Sequence, residues 1–132
     1  MKKQSAGILL YKFTDNVLQV LLVHPGGPFW KNKDVNSWSI PKGEFSEKED
    51  ALATALREFN EETGYTLDST NLIKLNPIKQ NSGKTVYAWA VEKDIDTKQI
   101  KSNLFKMEWP PKSGRIQKFP EIDEGQWFYI PT

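Results

Sequence analysis

The order of apolar segments predicts an α+β domain in which a mixed sheet packs against one amphipathic helix. Two observations carry that expectation. Short apolar runs bounded by Gly, Pro, Asn and Asp lie both before and after a single helical stretch, and within that stretch Leu52, Ala55, Leu56 and Phe59 recur at i, i+3, i+4 and i+7. Length sets the scale: 132 residues, 38% hydrophobic and 27% charged, suit one domain spanning 1–132 around one core.

Taken in order, residues 6–13 and 17–24 read as strands joined through Thr14-Asp15-Asn16 as a hairpin. His24-Pro25-Gly26-Gly27-Pro28 then opens a loop, and Trp38-Ser39-Ile40-Pro41-Lys42 leads towards the helix. Ser46 with Glu49 three residues on fits a capping box, so the helix is expected to start there; Gly64 suits the left-handed position that ends it. Leu52, Ala55, Leu56 and Phe59 form its buried stripe, with Ala51 and Ala55 small where the stripe borders an acidic face. Residues 71–78 and 85–91 read as strands around a polar turn, Asn81-Ser82-Gly83. The polar stretch 93–102 receives no element. Residues 104–109 are expected as an edge strand ending at Pro110-Pro111, and 126–130 as a short last strand.

Composition narrows the class of function. A formal net charge of +1 gives no overall electrostatic case for nucleic-acid binding, and the absence of cysteine excludes disulfides and thiolate chemistry. The apolar run after Met1-Lys2-Lys3-Gln4 is interrupted by Lys12, too early for a signal peptide or a membrane span, so a cytoplasmic location is expected.

One helix face breaks local rules. Glu58, Glu61 and Glu62 project together at spacings of three and four, where each like-charged pair costs roughly 0.2–0.5 kcal/mol. Glu61 and Glu62 also fall in the last turn, beside carbonyls that favour cations. A hard divalent cation would reverse both penalties, because Mg²⁺ takes carboxylate oxygens and keeps water and substrate phosphates in its other positions.

The run GEFSEKEDALATALREFNEETGY, residues 43–65, resembles the Nudix box: a glycine, five residues, Glu, seven residues, Arg-Glu, an apolar residue, any residue, Glu-Glu, any residue, Gly and an apolar residue. Every fixed position is filled, and only Phe59 and Tyr65 depart from the usual aliphatics. The resemblance implies a Nudix α-β-α sandwich with a mixed sheet. The family's usual C-terminal helix is expected to be short or absent, since the sequence stops at Pro131-Thr132; the 93–102 segment, a partner or further chain is then left to cover that face.

The resemblance also implies a reaction, attack of water on a phosphoanhydride in a nucleoside diphosphate linked to another group. It assigns cation ligation to Glu58, Glu61, Glu62 and the carbonyl of Lys42, with Mg²⁺ as the ion and Mn²⁺ as the alternative. Glu58 is the first choice for the general base and Glu61 the second. Arg57, four residues before Glu61, is expected to orient that carboxylate through an ion pair. Glu121, six residues before Trp127, is expected to add an acid from outside the box, ahead of Glu124.

Substrate preference rests on further marks. Trp38-Ser39-Ile40-Pro41-Lys42-Gly43 resembles the Trp-x-x-Pro-Lys-Gly sequence of Nudix hydrolases that act on diadenosine polyphosphates. Trp38 and Lys42 therefore join the expected substrate contacts, with Lys112 and Arg115 of a basic loop and with Tyr87, or Trp109, as a base-stacking ring against the commoner outcome of a buried aromatic. The expected partner is a small nucleotide, with no membrane and no nucleic acid apart from a capped RNA end; a homodimer stays open. The favoured activity is Mg²⁺-dependent hydrolysis of a dinucleoside polyphosphate. The alternatives are a MutT-type nucleoside triphosphate pyrophosphohydrolase and, in another class, a non-catalytic nucleotide sensor. His24 is expected to stabilise a turn or to lie on the surface rather than catalyse, and Asp94 and Asp96 are assigned no cation.

Overall fold

The computed structural model describes residues 3–31 and 37–131. Two long strands form its centre, β1 (Gln4–Thr14) and β2 (Val17–Pro25). Asp15 and Asn16 join them with φ of 51° and 65°, the double left-handed turn whose twist matches that of the strands it connects. β3 (Lys42–Phe45) pairs antiparallel with the start of β1, Gly7 opposite Lys42 and Gln4 opposite Phe45. The one α-helix among the described residues, α1 (Ala51–Thr63), follows.

β4 (Ile73–Lys74) and β5 (Ile78–Lys79) lie along the outer edge of β6 (Thr85–Glu92), which runs parallel to β1. Further on, β7 (Leu104–Glu108) and β8 (Ile116–Pro120) form a separate two-stranded ribbon, and β9 (Ile122–Tyr129) returns antiparallel to β2. β1 to β6 and β9 thus make a seven-stranded mixed sheet.

Strand alternation and register decide what is buried. Ala6, Ile8 and Leu10 share a face with Tyr87, Trp89 and Val91 of β6, with Leu21 of β2 and with Trp127 of β9. α1 lays Ala55 and Phe59 on that face, with Leu52 and Leu56 packed at the margin. On the opposite face Trp38 packs against His24 and Phe128, at centroid separations of 5.3 and 5.2 Å.

Several expected elements take another form. Residues 71–78 are not one strand: Pro77 lacks the amide a ladder needs, and the chain contacts β6 in two short pieces instead. Residues 104–108 do not edge the main sheet, because they pair with β8. The helix begins at Asp50, whose carboxylate accepts from the Ala53 amide at 2.9 Å. Ser46 and Glu49 do bond to each other, Ser46 N–H to the Glu49 carboxylate at 2.9 Å, but they close the turn before the helix. The 93–102 segment buries Ile95 in the core and forms a 3₁₀ turn at Thr97–Gln99, capped by Asp96. Among the described residues no helix is long and apolar enough to cross a membrane.

Candidate active site

Two glycines dock α1 against its surroundings. A Cβ on Gly43 would lie 1.9 Å from Glu58 Oε1, so β3 approaches the helix closely enough that the Glu58 carboxylate occupies the place of a side chain. Gly64 ends the helix with φ 82°, and a Cβ there would lie 2.9 Å from the Lys101 carbonyl oxygen. Glu61 and Glu62 are therefore held in the last turn, as their spacing suggests.

The carboxylates meet in a confined place. Glu62 is 8% exposed, and its carboxyl is pushed up to about 8 by burial first and by the Glu58 charge second, while Lys42 opposes the shift. The Lys42 backbone amide also opposes the shift, more weakly. Glu58 is pushed up to about 7 by burial, then by a hydrogen bond with Glu61 and the charge of Glu61, against the pull of Arg57. Glu121 is raised by burial and then by Glu61, and its own charge acts on both Glu58 and Glu62. Lys42, lowered by burial and by Lys84, is drawn back by Glu62 and Glu44. The structure thus brings Glu58, Glu61, Glu62, Glu121 and Lys42 together from α1, β3 and the turn between β8 and β9.

Main-chain bonds set the place of Glu121. The Glu61 carbonyl accepts from Asn103 N at 2.7 Å, and the Asn103 carbonyl accepts from Glu121 N at 2.9 Å. Beside this bridge the Thr63 carbonyl takes Lys101 N at 2.9 Å, so residues 101–103 satisfy carbonyls that a helix end otherwise leaves open. Glu121 O accepts from Gly26 N at 2.8 Å, the buried Ser102 hydroxyl accepts from Ile122 N at 3.0 Å, and His24 Nδ1 lies 2.9 Å from Asp123 Oδ1. Ser102, Asn103 and Asp123 went unmarked in the sequence because they act through backbone or through one partner far along the chain.

The other expected residues are placed as follows. Arg57 makes its ion pair with Glu49, at 3.9 Å, rather than with Glu61, and both partners are about half-exposed. Glu124 bonds to Gln126 within β9. Trp38 packs into the far face of the sheet. Tyr87 is half-buried, edge-on to Phe45 at 5.9 Å, with its hydroxyl 3.5 Å from Gln4 Nε2. Lys112 and Arg115 lie at the exposed tip of the β7–β8 ribbon, where the Glu108 carboxylate accepts from the amides of Lys112 and Gly114 at 3.0 and 3.1 Å.

As the side chains stand, no group of three or more His, Cys, Asp or Glu among the described residues is arranged to hold a metal ion. The donor chemistry nevertheless fits one. Four carboxylates in one electrostatic neighbourhood, two of them raised to about 7 and 8, are hard oxygen donors whose mutual repulsion a divalent cation would relieve.

A mixed sheet with an acidic helix docked through a glycine onto its β3 edge defines the class. A family model for the NUDIX domain matches residues 1–130, and the chain belongs to the Nudix family. Nudix hydrolase 7 of Arabidopsis thaliana is 27% identical over 101 residues, covering 73% of this chain and 35% of that protein. The asymmetrical bis(5'-nucleosyl)-tetraphosphatase of Mus musculus is 30% identical over 89 residues, 64% of this chain and 56% of that one. The chain therefore spans about a third to just over half the length of these relatives. A MutT/nudix family protein from Enterococcus faecalis shares the fold, with a TM-score of 0.67 at 19% identity over 98% of this chain and 44% of that one.

Proposed function

We propose that residues 1–132 form one cytoplasmic, Mg²⁺-dependent Nudix pyrophosphohydrolase domain that cleaves a phosphoanhydride of a nucleoside diphosphate derivative, foremost a dinucleoside polyphosphate. The observation that carries this reading is the convergence of Glu58, Glu61, Glu62 and Glu121 around Lys42 and Gly43. The Trp38 to Gly43 sequence and the similarity to the mouse tetraphosphatase support the choice of substrate.

Glu58, Glu61, Glu62 and the Lys42 carbonyl would hold the ion, with Mn²⁺ as a substitute. When bound, it neutralises charge developing on the phosphate oxygens and lowers the pKa of water. Glu58 accepts the proton of the attacking water and shares it with Glu61. The water oxygen bonds to phosphorus while the bridging P–O bond breaks, and its electron pair leaves with the departing phosphate. Glu121 orders the same water from across the site. Lys42 offers a point charge to the remaining phosphates.

The test is a panel of diadenosine tetraphosphate, each dNTP, a capped RNA, ADP-ribose and a diphosphoinositol polyphosphate, incubated with Mg²⁺ and separated by chromatography, with ¹⁸O water to locate the attacked phosphorus. Two nucleotide products from the diadenosine compound are expected. Pyrophosphate release from dNTPs in preference would move the assignment to the MutT type. Turnover of none would replace the enzyme by a nucleotide sensor.

A further inference from the structure

The β7–β8 ribbon carries its charge on one face and its phenylalanine rings on the other. Register pairs Leu104 with Pro120, Lys106 with Lys118 and Glu108 with Ile116 on one face, and Phe105 with Phe119 and Met107 with Gln117 on the reverse. The Trp109 N–H donates to the Arg115 carbonyl at 2.9 Å, so alternation makes Lys106 and Lys118 a non-hydrogen-bonded pair, at the closer of the two cross-strand spacings. Like charges placed there repel. Both lysines are exposed, as are Lys112 and Arg115 at the tip, and among the described residues none of the four is in an ion pair. Glu108, the one acid between 104 and 120, gives its two carboxylate oxygens to the amides of Lys112 and Gly114. The same alternation turns the N–H groups of Leu104, Lys106 and Glu108 away from β8, and among the described residues no strand pairs with that edge.

We infer that the outer edge of β7 docks an extended acidic segment of another protein, one in which carboxylate and apolar residues alternate. The open amides supply the main-chain bonds of strand addition, and the two faces of the ribbon set the pattern of the partner. On one face the added strand meets Lys106, with Lys118 one strand further, and covers Leu104, which is 60% exposed. On the other it extends the apolar surface of Phe105 and Met107. Lysine on an edge ordinarily wards off further strands. Here it repels a second copy of the ribbon, which would bring lysine to lysine, and it admits a strand that bears carboxylates. Single-stranded nucleic acid fits less well. Its bases need rings beside the cations, and Phe105 and Phe119 lie on the reverse face, packed together at 6.0 Å.

Fluorescence anisotropy with the whole chain and a labelled Glu-Val repeat of about eight residues tests this. A Lys-Val repeat of equal length reverses the charge, and the Glu-Val repeat N-methylated throughout keeps the charge without the amides a ladder needs. Each control is expected to bind ~10-fold more weakly or worse. Bound Glu-Val peptide should also slow hydrogen exchange at Leu104, Lys106 and Glu108. Lys106→Glu turns a repelling cross-strand pair into an attracting one, so it should raise the urea midpoint of unfolding while weakening the Glu-Val peptide ~10-fold or more. Loss of binding with the fold strengthened cannot come from damage to the ribbon. No Glu-Val binding at about 1 mM, equal binding of the N-methylated peptide, or undiminished binding by Lys106→Glu would overturn the inference. Oligouridylate bound in preference to the peptide, and lost in Lys106→Glu, would overturn it in favour of nucleic acid.

Discussion

Replacing Glu62 by Gln separates the electrostatic strain of the site from its packing. The folded protein raises this carboxyl from 4.5 to about 8, chiefly through burial. A raised folded pKa gives stability that is fully present below the unfolded value of 4.5 and lost as pH rises through about 8. At ~1.4 kcal/mol per pKa unit, ionising Glu62 inside the metal-free fold costs on the order of 5 kcal/mol as a ceiling, and water entry with side-chain rotation lowers that to ~1–3 kcal/mol. Glutamine has nearly the same shape and carries no charge. Urea unfolding in EDTA should therefore find Glu62→Gln close to the unaltered protein at pH 5 and ~1–3 kcal/mol more stable at pH 8.5. Hydrolysis of the preferred nucleotide should be largely lost in the same variant. A variant no more stable than its parent at pH 8.5 would refute the placement of a strained, buried carboxylate at this position.

Three further outcomes follow from the same geometry. Saturating Mg²⁺ should raise the unfolding temperature more at pH 8 than at pH 5.5, because only ionised Glu58 and Glu62 bind it well; at 100 times Kd the gain is about 2.7 kcal/mol, read by thermal unfolding. Gly43→Ala places a methyl on the Glu58 carboxylate and should cost ~1–3 kcal/mol in denaturant titration while lowering kcat at least as strongly as stability. Ser102→Ala removes the hydroxyl that accepts the Ile122 amide and should cost ~1–3 kcal/mol, with kcat lowered and KM nearly unchanged if its role is to hold Glu121 in place.

The parts readable from sequence are those whose cause is local. Asp15 and Asn16 announce the hairpin because few residues accept a left-handed conformation, and Gly64 announces the helix end for the same reason. The stripe through Leu52, Ala55, Leu56 and Phe59 needs only the helix period to be seen. β3 leaves no mark in the sequence because it is four residues long, contains a glycine, and exists through its pairing with β1. The helix starts four residues later than the Ser46–Glu49 signal suggests, because Asp50 is a competing cap and its carboxylate takes the Ala53 amide. β8 and the pairing of β7 away from the main sheet arise from contacts across a turn, which neither strand's own residues specify. Arg57 illustrates the same boundary: its spacing suits Glu61, yet Glu49, folded back in the turn before the helix, takes the ion pair.

The link from the Glu61 carbonyl through Asn103 to the Glu121 amide consists wholly of main-chain atoms. Such a link is indifferent to side-chain identity and sensitive to residue count. Asn103 can exchange for any residue that keeps its N–H and the backbone path, whereas a shift of register by one residue at this strut moves the acid by a full residue step, ~3.3 Å, relative to the helix. At Asn103 the chain therefore acts as a spacer whose backbone register is under constraint, next to Ser102, whose hydroxyl chemistry is.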